Sequence, residues 1–422
     1  MRTPWYHGWN VLAVGMLFQA VTFGIGIYCF TFWVGPWSAE FGAGRGQVMT
    51  VFITLQVAMG ALAPFAGRAM DRASIRVLIV AGALCFALAL ALAARAQTLW
   101  QLSFLYGSLV VAGMLLAGPL AAQTLAARWF TRRRGLAIGI STVGTSLGGF
   151  FMPPLVTTLQ AELGWRDAND LLAVLVLVLI VPPVWLLIRN SPAEAGRPGE
   201  DAAASRPPMV EPPAVTWTTA ELLRSRPFWL LVLAFTPMAT AFGGAQQNLA
   251  PYTSDHGIDA RATAYLVSIM ALVMAAAKVG FGALADRVDL RWLFLLALGV
   301  LAITFALMRG EVDYPALIVI AVLLGTAAGG FLPLLGAAVS HRFGVAAFGQ
   351  VMGMVGPFTT LAALGPWLAG YLRDSTGSYD PAWAVLGLLL IPSAAAMLLL
   401  RPVPRPDDAA YPSTATPGEQ KS

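Results

Sequence analysis

The sequence predicts an all-α membrane protein of twelve transmembrane helices, arranged as two pseudo-symmetric six-helix bundles. Three observations carry this. Hydrophobic residues fill 58% of the 422 positions and charged residues only 11%, more apolar material than a water-soluble domain of this length can place inside. The apolar residues fall into twelve runs, each long enough to cross about 30 Å of hydrocarbon. A loop of the form G-x-x-x-D-R-x-x-x-R occurs twice, once in each half.

In chain order the runs cover 9–33, 48–66, 77–94, 99–125, 136–158, 169–188, 227–250, 263–284, 292–308, 315–337, 349–372 and 382–400. The first is expected to be a membrane helix and not a signal peptide: it is too long, only Arg2 precedes it, and no small-x-small site follows. Residues 189–226 are rich in proline, alanine and charge and read as a cytoplasmic linker, with a short surface helix at "TTAELLRS" capped by Thr218 or Thr219. The linker separates an N-terminal bundle (1–188) from a C-terminal one (227–402), and 403–422 reads as a disordered cytoplasmic tail. Tryptophans near run ends (Trp9, Trp37, Trp100, Trp129, Trp165, Trp229 and Trp292) suggest interfacial anchors.

Charge placement gives orientation. With the N-terminus inside, nineteen of the 26 basic residues fall in cytoplasmic segments and six on the opposite side, with Lys278 inside a run. The positive-inside rule then puts both termini in the cytoplasm, and the pI near 9.5 reflects topology and not nucleic-acid binding. Cys29 and Cys85 both fall in runs, and His7, His256 and His341 are scattered at loop edges, so neither a disulfide framework nor a metal site is expected. No cofactor and no nucleophile–base pair at membrane depth is foreseen, which argues against an enzyme.

The repeated loops are "GRAMDRASIR" (Gly67, Asp71, Arg72, Arg76) and "GALADRVDLR" (Gly282, Asp286, Arg287, Arg291). The glycines permit close helix approach, and each aspartate can accept hydrogen bonds from a neighbouring helix N-terminus. A solvated positive-inside loop is the plain alternative. A fainter echo pairs "RWFTRRRGLAIG" with "HRFGVAAFGQVMG". The loops resemble the cytoplasmic signature of the major facilitator superfamily, although Ser74 stands in place of its usual second glycine. The resemblance implies a gating latch between halves that move about a midplane site.

"WYHGWNVLAVGM", "EFGAGRGQV", "ARWFTRRRGLAIGISTVGTSLGG", "GWRDA", "NLAPYTSDHGIDARATA" and "GPWLAGYLRDSTGSYDPAW" together resemble the monocarboxylate-porter and oxalate/formate-antiporter branch of that superfamily. The likeness covers all but the linker and tail. It implies transport of a small organic anion, by proton symport or by exchange. In that branch an arginine commonly stands in span eight, four residues before the glycine of the second loop, and binds the substrate carboxylate. Here that position is Lys278, in a chain that otherwise uses 24 arginines and one other lysine. Lysine is a point donor, where guanidinium holds a carboxylate through two parallel bonds. The bland alternative is that Lys278 snorkels toward the interface, a strained reach with Asp286 roughly 12 Å along the helix.

All 21 acidic residues can be assigned to loops, linker or tail, and position 274, often aspartate in that branch, is Met274. No intramembrane carboxylate is therefore available to carry a proton. If Lys278 is neutral in the empty site, anion and proton enter together, which is symport. If it stays charged, exchange follows. Other cavity candidates are Gln246, Gln247 and Asn248 near the end of span seven, with Tyr28, Gln56, Gln123 and Thr359 or Thr360. Consecutive residues turn by about 100°, so one or two of the span-seven amides face any one cavity, and each of the others could instead serve an interhelical hydrogen bond. The expectation is a monomeric, multi-pass inner-membrane carrier whose partners are the bilayer, a small organic anion and, in the symport case, a proton. Efflux of a hydrophobic or cationic compound, or a transport-dead sensor or scaffold, are the alternatives.

Overall fold

The computed structural model describes residues 6–130, 134–190, 218–285, 287–343 and 348–400. The tail, most of the linker and Asp286 lie outside them, as do the side chains of Asp71 and Thr359. Among the described residues every regular element is helical. Span one runs Gly8–Phe23, passes through a π-turn at Gly24–Tyr28 and continues as Phe30–Phe41. Spans two and three are Arg45–Arg72 and Ile75–Ala93. Span four begins at Leu99–Leu105 and reaches Leu116 through a second π-turn. It breaks at Ala117 and Gly118 and resumes as Pro119–Trp129, with proline in the first turn, where its missing N–H costs nothing.

Spans five and six are two helices within Arg134–Leu187 that meet at Gly164, whose backbone is non-helical (φ 78°, ψ 165°). Among the described residues eleven helical stretches are long and apolar enough to span a membrane, and this one, Ala137–Leu187, contains two legs. That recovers the twelve predicted crossings. The left-handed φ at Gly164 is open to glycine at little cost, which explains the glycine before "WRDA". The capped surface helix is Thr219–Arg224, with Thr218 as cap and Glu221 closing the capping box.

The second half repeats the plan. Span seven is Arg226–Gln247, broken at Asn248 and continued as Leu249–Asp255. Spans eight, nine and ten are Ala260–Ala285, Leu290–Met308 and Tyr314–Phe343. Span eleven is Phe348–Thr359 joined by a 3₁₀ turn to Leu364–Thr376, and span twelve is Asp380–Leu388 with Leu390–Leu399. Several helices outrun the predicted runs by a turn, because hydropathy marks the hydrocarbon thickness and not the helix end.

Packing follows from a solvent that is apolar outside. Large residues such as Phe18, Phe30, Trp33, Phe235, Phe294 and Trp383 are buried between helices. Leu84, Phe104, Val178, Leu296 and Ile391 stay exposed around the perimeter, as lipid-facing residues do. Trp100, Trp229 and Trp292 are exposed near helix ends and fit the anchor reading. Trp37, Trp129 and Trp165 do not: each is buried, and Trp129 donates its indole N–H to the Arg189 carbonyl at 2.9 Å. These three are core, and their position near run ends misled. The two bundles meet where span two packs on eleven, five on eight and one on seven.

Candidate functional site

Lys278 sits at the seam between the bundles. Its Nζ donates to Ser146 Oγ at 3.2 Å and Thr145 Oγ1 at 3.3 Å, both on span five of the opposite half. The side chain thus crosses to the other bundle and does not run along its own helix toward Asp286. The two hydroxyl contacts are long and neutral. Among the described residues no carboxylate lies within 4.0 Å of Lys278, so an ammonium there would meet hydroxyls and no counter-charge. A charged side chain at membrane depth costs about 2.5–3.5 kcal/mol by insertion scales, and an arriving carboxylate would offset that cost.

One turn before Lys278, Met274 Sδ accepts from the Tyr28 hydroxyl at 3.8 Å. Gly149 lets this contact form: a Cβ there would stand 2.7 Å from both the Ala271 methyl and the Tyr28 ring. Ser268 donates to the Phe150 carbonyl at 2.7 Å, closing the same seam further along. Tyr28, Gly149, Ala271 and Met274 therefore bound the Lys278 region on one side.

The other predicted residues distribute unevenly. Gln246 is buried. Gln247 donates to the Ile27 carbonyl of the opposite half at 3.2 Å, while its Oε1 is buried without a partner. Asn248 donates to Gly244 O and Pro366 O, each at 3.0 Å, and accepts from the Tyr379 hydroxyl at 3.2 Å. Its three contacts all lie within the C-terminal half. Gln123 is half-buried on span four. In the first signature loop, Ser74 Oγ and the Arg76 amide both donate to Asn190, and the Arg76 guanidinium lies over the Trp185 ring at 4.8 Å. Arg72 is exposed. In the second loop Arg291 pairs with Asp289 at 2.8 Å. Gly67 and Gly282 have open space where a Cβ would point.

The sequence reading missed a second constellation, on the face of the molecule that carries Arg45. Arg45 grips Asp255 with both terminal nitrogens, Nη2–Oδ1 at 2.6 Å and Nη1–Oδ2 at 2.8 Å, and Arg373 Nε donates to the same carboxylate at 2.7 Å. Arg45 Nη1 also reaches the Tyr379 hydroxyl at 3.3 Å. Beside it the Gly46 amide donates to Asp374 Oδ2 at 2.8 Å, and the Ala250 amide to Thr31 Oγ1 at 2.9 Å. Arg45, Gly46 and Thr31 belong to the first half, the others to the second. Burial works against ionisation of Asp255, but the Arg45 and Arg373 hydrogen bonds outweigh it and hold the carboxyl below its usual range. Thr145 and Ser146 were also missed; their only sequence signal was two hydroxyls in a glycine-rich helix.

The Major Facilitator Superfamily model matches residues 16–278 and 248–419. Among curated proteins the chain is similar to "Monocarboxylate transporter 11" of Homo sapiens, 28% identical over 78% of this chain and 70% of that protein. It is also similar to "Monocarboxylate transporter 13" of Bos taurus, 26% identical over 93% and 89%, and to "Monocarboxylate transporter 2" of Homo sapiens, 25% identical over 93% and 85%. Among solved structures, a bacterial homolog to the human lysosomal transporter Spinster, in its inward-facing and occupied conformation, superposes with a TM-score of 0.72 at 15% identity. That match covers 94% of this chain and 97% of the other, and it speaks to the fold alone.

Proposed function

Because the chain belongs to the Major Facilitator Superfamily, we propose that it moves a small organic anion of the monocarboxylate type by alternating access, with Lys278 receiving the substrate carboxylate. It is a transporter of small organic substrates and not an enzyme. The observation that carries the finer reading is the Lys278 amine at the seam, facing Thr145 and Ser146 and no described carboxylate. A cationic substrate finds no complementary charge in that arrangement, which disfavours cation efflux. Tyr28 bounds the anion's apolar end in this reading, and Gln246 is the span-seven amide left for it.

The charge asymmetry supports cytoplasmic termini; in that reading the Arg45 face is outward and the signature loops, with Gly67, Asp71, Gly282 and Asp286, are inward. The bonds joining the halves on the Arg45 face, and the open space beside Gly67, Gly139, Gly282 and Gly353, favour an inward-facing state with the cytoplasmic latch released. Residues 1–188 and 227–402 are then the rocking bodies of a monomer, tied by the 189–226 linker. Whether a proton travels with the anion depends on the charge of empty Lys278.

The test is ligand-induced thermal stabilisation of purified protein by lactate, pyruvate, oxalate and benzoate, at pH 5.5 and 8. A site-bound anion at 100 times its dissociation constant stabilises by about 2.7 kcal/mol. Stabilisation should vanish in Lys278→Ala and survive in part in Lys278→Arg. A stronger effect at pH 5.5 favours proton-coupled binding. If wild type ignores every carboxylate, or the alanine variant responds equally, the assignment fails.

A further inference from the structure

The Arg45 cluster is asymmetric in a way that pairing alone does not require. Every acceptor that Arg45 uses belongs to the C-terminal half, and each is held there by a partner of that same half. Arg373 fixes the Asp255 carboxylate through its Nε at 2.7 Å. Asn248 accepts the Tyr379 proton at 3.2 Å, which leaves the hydroxyl oxygen turned to receive. The Tyr379 ring is stacked on Trp383 at 5.1 Å with 10° between planes, and the Arg45 guanidinium carbon lies over that ring, 5.5 Å from its centroid. None of these contacts needs the N-terminal half. Asp255 and Asp374 against Arg373 leave this patch one unit negative when Arg45 is removed.

We propose that the C-terminal half carries a preformed guanidinium-binding socket, built from Asp255 and Tyr379 and held by Arg373, Asn248 and Trp383, in which Arg45 is a removable occupant. The carboxylate gives the fork geometry that a guanidinium matches through two parallel bonds, and the tyrosine adds a third acceptor and a π-face. When the halves part on this face, the socket stays assembled and is open to small guanidinium or alkylguanidinium cations from that side. Closing the face seals the socket beneath span two, so closure depends on the socket being filled. The inference concerns this face alone and is independent of which substrate Lys278 takes.

Chemical rescue tests it. Spin labels at Ala39→Cys and Arg261→Cys, exposed positions next to the cleft that Ala39 and Ala260 both line, report the separation of the halves. Cys85→Ala removes the accessible native thiol, and Cys29 is buried. Arg45→Ala should lower the ratio of closed to open populations by about tenfold, a charge-assisted pair discounted for its partial exposure. Twenty millimolar guanidinium chloride, an order of magnitude or more below denaturing levels, should restore most of the closed population (roughly threefold or better). Urea, the neutral isostere, should not, and Asp255→Asn added to Arg45→Ala should abolish the rescue. Arg45→Ser serves if the alanine variant does not fold. A variant that stays closed without Arg45, or opens and ignores guanidinium, or responds to urea equally, overturns the proposal.

Discussion

Gly370→Ala should drive the Arg45 face open, and the geometry sets how far. Gly370 lies in Leu364–Thr376 of span eleven and faces the first turn of span two. A methyl group added there would stand 2.9 Å from the Gly46 nitrogen and 3.1 Å from both Arg45 C and Gly46 Cα. All three are backbone atoms, and they cannot rotate away as a side-chain end would. The Gly46 amide is further anchored to Asp374 at 2.8 Å. The helices must therefore separate by a few tenths of an ångström, and overpacking of this kind costs about 1–3 kcal/mol. Alanine also favours the helix by up to about 1 kcal/mol, but it does so in both conformations and cancels from the gating equilibrium. The closed-to-open ratio should fall by about five- to 150-fold.

The assay is alkylation of Ala250→Cys by a membrane-impermeant maleimide. The Ala250 amide bonds Thr31 across the closed seam and the residue is half-buried there, so part of its reactivity waits on the halves parting. In that variant the labelling rate should rise with Gly370→Ala, by at most the factor above. Gly353→Ala, also on span eleven but with nothing within 4 Å of its new methyl in this conformation, should not raise the rate. Equal rates for the Gly370→Ala and wild-type backgrounds would refute the reasoning, because close backbone approach would then contribute nothing to closure.

Two further predictions rest on other parts of the structure. Arg166 joins Glu40 at 3.0 Å and donates to the Ala94 and Ala96 carbonyls at 2.6 and 2.9 Å, so it clamps the bend at Gly164 to the end of span one and to the loop after span three. Arg166→Ala should cost about 2–3 kcal/mol and lower the melting temperature by several degrees without shifting the gate, and Arg166→Lys should not rescue it because one ammonium cannot serve three separated acceptors; an unchanged melting curve would remove the clamp. The paired Asp255 carboxyl sits below its ordinary range, so its contribution to closure is complete above about pH 4 and disappears only as the pH falls through the lower, paired value. Spin-label distances across the face should then be constant from pH 8 to 5 and lengthen in stronger acid. Arg45 and Arg373 pair with that carboxylate, and Tyr252, His256, Arg309, Glu311, Tyr379 and Asp380 line the same cleft. A transition between pH 8 and 5 would refute control by that carboxylate.

What could be read in the sequence depended on whether a residue's role is local. Hydropathy located the crossings because the bilayer imposes its own length on each helix. The Thr218 cap was visible because N-capping acts over three residues. Lys278 stood out because an ammonium in an apolar helix demands an explanation wherever it points. Its direction, however, is decided by Thr145 and Ser146, more than 130 residues away, and hydroxyls in "GTSLGG" look like ordinary helix packing. The Arg45 cluster was hidden for the same reason. Arg45, Asp255 and Arg373 each read as solvated loop charges, and only the fold brings them into one carboxylate's reach.

The amide run Gln246–Asn248 shows why a correct location can still carry the wrong emphasis. Sequence placed these residues at the end of span seven and offered them to a cavity. Two of them are committed elsewhere: Gln247 to the Ile27 carbonyl in the π-turn of span one, and Asn248 to the break in its own helix and to Tyr379. Gln247 touches the turn that ends at Tyr28, which in turn contacts Met274, one helical turn from Lys278. Asn248 touches the socket that holds Arg45. The broken end of span seven is thus bonded both to the element that bounds the candidate anion site and to the element that closes the opposite face.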